Sequence, residues 1–154
     1  MAAPQRRAIR STVRFPSIDT PLGQVAVTIR LLIADDHELV RDGLRLTFEG
    51  TDIEIAAEAA NGQQAFDALD ESPIDVALID INMPGADGYH FLRLVQGSGA
   101  NVPVLMHSVY DGAEYIRRCR ALGAKGFIVK GREGRELLAA IRAIHAGEEF
   151  WEVP

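Results

Sequence analysis

The chain has 154 residues, of which 47% are hydrophobic and 25% are charged, the proportions of one ordinary globular domain. No apolar run approaches the roughly 20 residues of a membrane-spanning helix, and no apolar segment follows the N-terminal arginines as a secretory signal requires. The single cysteine cannot form an internal disulfide, so we predict a cytoplasmic protein without a membrane partner.

The net charge of −6 conceals an asymmetry between the start of the chain and the rest. Residues 1–30 hold five arginines and one aspartate, whereas the remainder is strongly acidic. An acidic body binds nucleic acid poorly, because phosphate backbones require positive charge. The Arg, Pro and Ser content of residues 1–27 predicts a basic, disordered N-terminal extension.

From Ile29 onward, short β-branched apolar runs alternate with helical patterns. The apolar runs predict strands at 29–34, 53–58, 74–79, 102–107 and 127–129. The helical patterns predict helices at about 40–48, 63–69, 89–96, 114–121 and 135–146.

Five successive β-α units predict an α/β fold, a doubly wound, flavodoxin-like parallel sheet with helices on both faces. Of the two common doubly wound strand orders, 2-1-3-4-5 suits five strands, and we adopt it by analogy with folds of this size. The domain is predicted to span residues 28–147, and residues 148–154 to begin a C-terminal linker.

Acidic side chains follow two strands that this order makes neighbours. Asp35 and Asp36 follow the first strand, and Asp80 follows the third. Because parallel strands present their carboxyl ends at one edge, we expect these carboxylates to converge in one crevice. A hard divalent cation would relieve their repulsion, so we predict Mg²⁺, with the backbone carbonyl of Asn82 as a further ligand. One Asp at a strand end is usually a cap or turn residue, but this combination is far more specific.

Two more strand ends complete the set of polar residues. Ser108 follows the fourth strand and could donate its hydroxyl to a phosphoryl oxygen. Lys130 follows the fifth strand and offers a mobile positive charge suited to phosphate. Either residue alone would indicate a solvated loop, but their joint occurrence at successive strand ends favours a site that handles phosphate.

A family resemblance rests on the runs LLIADDHELVRDGL, DVALIDINMPGADGY and GAKGFIVKG, together with the step at Ser108. Over roughly residues 29–147 the chain resembles the receiver domains of two-component response regulators. The resemblance implies that Asp80 is the phosphoacceptor and that Asp35 and Asp36 hold the metal ion. It also implies that Ser108 and Lys130 contact the phosphoryl group.

The resemblance further implies how such a site acts. Phe127 falls at the aromatic switch position of the family and would move together with Ser108, changing the surface of helix 4, strand 5 and helix 5. Asn82 and Tyr110 fall at positions that tune dephosphorylation. The phosphoryl donor would be a sensor histidine kinase or a phosphotransfer protein. The chain would not be an enzyme beyond its own phosphorylation and dephosphorylation.

The end of the chain resembles one branch of that family. Many receivers have proline after the lysine, whereas Gly131 follows here and is expected to loosen the loop. This glycine and the ending AIRAIHAGEEFWEVP resemble NarL/FixJ-type, LuxR-like transcription regulators. That branch implies output on DNA through a C-terminal helix-turn-helix domain outside these 154 residues, and allows a homodimer on phosphorylation.

Three other functions compete with this interpretation. An aspartyl-nucleophile phosphatase of the haloacid-dehalogenase type needs a second acid two residues after the nucleophile, and Asn82 stands there. A flavodoxin-like FMN carrier needs a loop rich in N–H donors after the first strand, where Asp35 and Asp36 would repel phosphate. A pseudo-receiver that binds proteins without phosphorylation is disfavoured by the complete set of polar residues.

Two histidines border the polar set without being predicted to act in it. His37 follows the acidic pair and is expected to begin the first helix with an exposed ring, because Mg²⁺ prefers oxygen ligands. His107 precedes Ser108 and is expected to point to the opposite face of its strand.

Overall fold

The computed structural model describes residues 27–152. The predicted extension 1–27 lies outside the described residues except for Val27, as do the last two residues of the predicted linker. The elements, in chain order, are β1 (Ile29–Ala34), α1 (Glu38–Phe48), β2 (Ile53–Ala59), α2 (Gly62–Glu71), β3 (Val76–Asp80), α3 (Gly88–Ser98), β4 (Val104–Ser108), α4 (Ala113–Ala121), β5 (Gly126–Val129), α5 (Gly134–His145) and β6 (Phe150–Trp151).

The strands form one parallel sheet in the order β2-β1-β3-β4-β5-β6. The predicted fold class and the order of the first five strands are confirmed. The predicted count of five is one strand short, because β6 adds to the outer edge within the segment expected to be a linker. The structured unit therefore continues past the boundary predicted at residue 147.

The sixth strand forms because the backbone of β5 has an open edge at a glycine. Phe150 N donates to Lys125 O at 3.1 Å, and Glu152 N donates to Phe127 O at 3.1 Å. A Cβ atom at Gly126 would lie 2.5 Å from Phe150 O, so only glycine permits this approach. A strand of two residues has too few positions to produce an alternating pattern in the sequence.

Two apolar clusters, one on each face of the sheet, hold the helices in place. Helices α2, α3 and α4 cover one face, where the fully buried Phe91 and Phe127 are the largest side chains. Helices α1 and α5 cover the other face with residues such as Leu44 and Ile141. Each fully buried side chain of this size contributes about 1.5–3 kcal/mol, so the clusters fix the positions of the strand ends.

Polar side chains set where two of the helices begin. Asn61 Oδ1 accepts a hydrogen bond from Gln64 N at the start of α2, and Asp87 Oδ1 accepts one from His90 N at the start of α3. Within residues 27–152, none of the helices combines the length and apolar character needed to cross a bilayer.

Candidate functional site

Four side chains meet where β1 and β3 end. One ligand atom from each of Asp35, Asp36, His37 and Asp80 lies within 4.8 Å of the others. Asp35 and Asp80 are almost completely buried, with 1% and 5% of their surface exposed. The structure thus brings together the three carboxylates predicted from the sequence, and adds the ring of His37 to them.

The neighbouring strand and helix fix the backbone of Asp35. Its N–H donates to Ala59 O at 3.0 Å, and Arg41 Nη1 donates to its carbonyl oxygen at 2.6 Å. The carboxylate in turn accepts a hydrogen bond from His37 N at 2.9 Å. Asp35 therefore has a defined position at the floor of the site.

Lys130 reaches into this cluster from the end of β5. Its Nζ lies 2.6 Å from Asp35 Oδ2 and 3.3 Å from Asp80 Oδ2. Only 14% of the lysine side chain is exposed, so solvent screens these interactions weakly. The ammonium group offsets part of the repulsion between the two buried carboxylates.

The two buried carboxylates respond differently to this environment. Burial by itself would raise the pKa of Asp35, but hydrogen bonds from Lys130 and from the His37 backbone outweigh it and hold the pKa below its ordinary value. Burial raises the pKa of Asp80, because Lys130 offsets it incompletely and the charge on Asp35 adds to it. An additional cation would therefore stabilise the charged form of Asp80 more than that of Asp35.

The third carboxylate bears on whether these residues fit a metal ion. Asp36 Oδ1 is buried and accepts no hydrogen bond from any described residue, although His37 Nδ1 lies 3.2 Å away. A buried acceptor without a donor is costly unless a cation or water satisfies it. Together with Asp35 and Asp80 it makes a set of oxygen ligands that fits a hard divalent ion such as Mg²⁺.

His37 lies at the start of α1 with an exposed ring, as expected. Its contacts with Asp35 and Asp36 were not predicted. The signal for them was local: a side chain directly after two acidic residues at a helix start can turn back towards them. The side chain is 67% exposed, so the ring lies on the solvent side of this cluster.

Two further predicted positions contact the residues of this group: Tyr110 is bonded to Ser108, and Asn82 is bonded to Asp80. Ser108 is fully buried, and its Oγ accepts a hydrogen bond from Tyr110 N at 3.0 Å. Asn82 N donates to Asp80 Oδ1 at 3.4 Å. The Tyr110 ring stacks on that of Tyr115, with ring centroids 5.1 Å apart. The roles of these residues, including the carbonyl of Asn82 as a ligand, remain predictions.

Phe127 and His107 are buried within the sheet. Phe127 packs in the cluster under α2, α3 and α4, and its part in a switch remains a prediction. Burial lowers the pKa of His107 to about 4, with the charge of Lys130 adding to the effect, so the ring is neutral at neutral pH. His107 pairs in register with Asp80.

Comparisons with known proteins agree with this geometry. Residues 31–142 match the family described as response regulator receiver domain. The response regulator UvrY of Escherichia coli K12 is 33% identical over 123 residues, which are 79% of this chain and 56% of UvrY. The chain thus spans a little over half the length of this curated relative.

Two solved structures are similar over most of the chain. A LuxR-family two-component response regulator from Aurantimonas is 31% identical with a TM-score of 0.74, covering 80% of this chain and 89% of that one. The receiver domain of the putative response regulator NarL from Mycobacterium tuberculosis is 28% identical with a TM-score of 0.75, covering 79% of this chain and 99% of that one.

Proposed function

Because this chain belongs to the response regulator receiver domain family, in its NarL/FixJ-type branch, we propose that it is a switch phosphorylated on Asp80. The observation that supports this role is the buried group of Asp35, Asp80 and Lys130 at the carboxyl edge of the sheet. Receiver domains are not classical enzymes, and we propose that the chemistry here is limited to self-phosphorylation and self-dephosphorylation.

In the proposed reaction, a carboxylate oxygen of Asp80 attacks the phosphorus of a phosphohistidine in line. The new bond joins this oxygen to phosphorus, and the phosphorus–nitrogen bond breaks with its electron pair remaining on the histidine. Lys130 Nζ, 3.3 Å from Asp80 Oδ2, offsets the charge that gathers between the carboxylate and the phosphoryl oxygens. A sensor histidine kinase or phosphotransfer protein supplies the phosphoryl group.

Asp35, Asp36 and Asp80 would hold Mg²⁺, with the backbone carbonyl of Asn82 completing the protein ligands. When bound there, the ion supplies positive charge that lowers the repulsion between two anionic reactants. The Asp36 Oδ1 atom supports this assignment, because it is a buried acceptor that makes no hydrogen bond with any described residue.

The proposed response to phosphorylation begins at Ser108. Its hydroxyl would donate to a phosphoryl oxygen and give up the hydrogen bond that it now accepts from Tyr110 N. Its displacement leaves room for the buried ring of Phe127 to change rotamer, which alters the surface of α4, β5 and α5. Allosteric coupling of this kind is typically about 1–3 kcal/mol. Asn82 and Tyr110 flank the site and would tune the hydrolysis that resets it.

The output of the switch is proposed from the branch of the family. Transcription would be controlled in the cytoplasm through a C-terminal helix-turn-helix domain outside these residues, with a homodimer forming on phosphorylation. The acidic character of the chain after residue 30 agrees with DNA contact being made elsewhere.

Incubation with acetyl phosphate tests the proposed function. The full chain should gain one phosphoryl group in intact-mass spectra when Mg²⁺ is present, and should gain none in EDTA. Asp80→Asn should abolish the gain, whereas the matched control Asp70→Asn, at an exposed position on α2, should behave as the wild type. Uptake that survives Asp80→Asn, or that proceeds equally in EDTA, would contradict the proposal.

A further inference from the structure

The residue after Lys130 gives the backbone little restraint of its own. Gly131 has φ +93°, and an added Cβ atom there would meet no atom within 4 Å. A glycine in an open loop has more backbone freedom than any other residue. Lys130 Nζ nevertheless keeps a short contact with Asp35 and one with Asp80, so contacts that neighbouring residues make with this loop matter for the position of the lysine.

The carboxylate of Glu152 makes contacts on both sides of Lys130. Its Oε1 accepts a hydrogen bond at 2.9 Å from the N–H of Val129, the residue before the lysine. Its Oε2 accepts a hydrogen bond from Nε of Arg132, the second residue after the lysine, and the pair is ionic. The Glu152 side chain is only 19% exposed, so the contacts are partly shielded from solvent.

The backbone of Glu152 is itself held by the sheet. Its N–H donates to Phe127 O at 3.1 Å, which continues the pairing of β6 with β5. On the opposite side, Lys130 N donates to Ser108 O at 2.7 Å. The segment 129–132 is thus held from the β4 side by one backbone bond and from the β6 side by one carboxylate.

We propose that Glu152 is a positioning residue for Lys130, which rests on the proposed function. It touches neither Asp35 nor Asp80, and acts by restricting the path of the backbone that bears the lysine. The attraction between an ammonium and a carboxylate weakens as their separation grows, so a looser loop would neutralise Asp80 less effectively. In this chain, the side chain of Glu152, the residue that directly follows β6, restrains the loop that a proline after the lysine would otherwise stiffen.

Rates of phosphoryl uptake from acetyl phosphate with Mg²⁺ test this role. Glu152→Ala should slow uptake about tenfold, and Arg132→Gln, which keeps the bond to Val129, about threefold. Glu148→Gln removes an exposed carboxylate four residues away and should leave the rate unchanged. Each variant is also melted thermally, so that the rates are compared where all the proteins are folded.

Amide hydrogen exchange measured without Mg²⁺ separates positioning from general loosening. In Glu152→Ala the Lys130 amide, which is bonded to Ser108 O and not to Glu152, should exchange at least fivefold faster. Amides of β1 and β3 should exchange at the wild-type rate. Faster exchange throughout β1 and β3, or uptake within twofold of the wild type, would overturn the proposal. A wild-type chain that takes up no phosphoryl group refutes the proposed function instead, and exchange at Lys130 then still decides whether Glu152 restrains this loop.

Discussion

At the ends of β1 and β3, two almost fully buried carboxylates face one lysine. The β5–β6 edge, in contrast, is held by backbone pairing, by the indole ring of Trp151 and by the partly exposed ion pair between Arg132 and Glu152. The first region places charge where burial is costly, and such an arrangement reduces stability unless each charge has a partner. The second region contributes contacts that favour folding. The comparison separates the residues proposed to take part in the reaction from the residues that keep them in position.

The largest effect is expected when the lysine of the first region is removed. Lys130→Met leaves Asp35 and Asp80 buried without a counter-charge, and should lower the free energy of unfolding in EDTA by about 3–5 kcal/mol. Added Mg²⁺ should restore part of this loss. Urea denaturation with and without Mg²⁺ measures both effects.

The exposed Lys125 provides the matched control for this prediction. Lys125→Met should change the free energy of unfolding by less than about 0.5 kcal/mol. Equal losses in Lys125→Met and Lys130→Met would show that the two buried carboxylates do not depend on their lysine.

The buried imidazole of His107 predicts a pH dependence in the same region. Its pKa is about 4 in the folded chain against an ordinary value of 6.5, so the unfolded chain binds more protons between these two values. The neutral ring contributes its full stability above pH 6.5, and roughly 3 kcal/mol should be lost as the pH falls from 6.5 to 4. Urea denaturation in EDTA across this range measures the slope.

The carboxylates of the site also titrate in acid, so the contribution of the histidine is isolated by difference. His107→Leu has no group that titrates near pH 6 at this position. Its stability should fall less steeply than that of the wild type between pH 6.5 and 4. Parallel curves for the two proteins would rule out the buried neutral histidine as the cause.

At the outer edge, a single methyl group should displace β6. Gly126→Ala places a Cβ atom 2.5 Å from Phe150 O, 2.9 Å from Leu105 Cδ1 and 3.0 Å from Ile144 Cδ1. Overpacking of this kind costs about 1–3 kcal/mol. The fluorescence of Trp151, the only tryptophan, should change together with the stability.

Gly97 on α3 is the control for this methyl group, since an added Cβ atom there meets nothing within 4 Å. Gly97→Ala should raise stability by about 0.5–1 kcal/mol through helix propensity. An unchanged tryptophan spectrum in Gly126→Ala would indicate that β6 does not depend on the close approach at the glycine.

The smallest effect is expected at the contact between α4 and β6. The Arg120 guanidinium lies 4.3 Å from the centre of the Trp151 ring. Arg120→Met should lower the free energy of unfolding by about 0.5–1 kcal/mol and alter tryptophan emission. Arg117→Met, at an exposed position on the same helix, should do neither. Equal free energies of unfolding and identical emission spectra for the two variants would show that the contact between Arg120 and Trp151 does not stabilise the fold.

The sequence allowed the fold and the polar strand ends to be predicted because each left a strong local signal. The strand β3 is buried on both faces and is almost wholly apolar, so Asp80 stands out at its end. Asp35 is recognisable for the same reason after β1. A charged residue at the end of an apolar run is easy to recognise in a sequence, because it differs from its neighbours.

The outer edge could not be predicted in the same way. β6 depends on a backbone carbonyl approaching Gly126 and on Glu152 reaching Val129, 23 residues earlier in the chain. Neither contact leaves a period or a motif in the sequence. From the sequence alone, an acidic residue in a short C-terminal segment is expected to be exposed to solvent. Only the pairing of the strands places Glu152 beside Val129 and Arg132.

The direction of β6 has a consequence for whatever is joined to residue 152. Helix α5 returns the chain to the amino ends of the strands, and a peptide leaving from there would be separated from Asp80 by the length of the sheet. Since β6 runs parallel to β5, the peptide instead emerges on the rim that bears Lys130. A segment attached at this point would be moved directly by any displacement of this rim, without a conformational change that passes through the core.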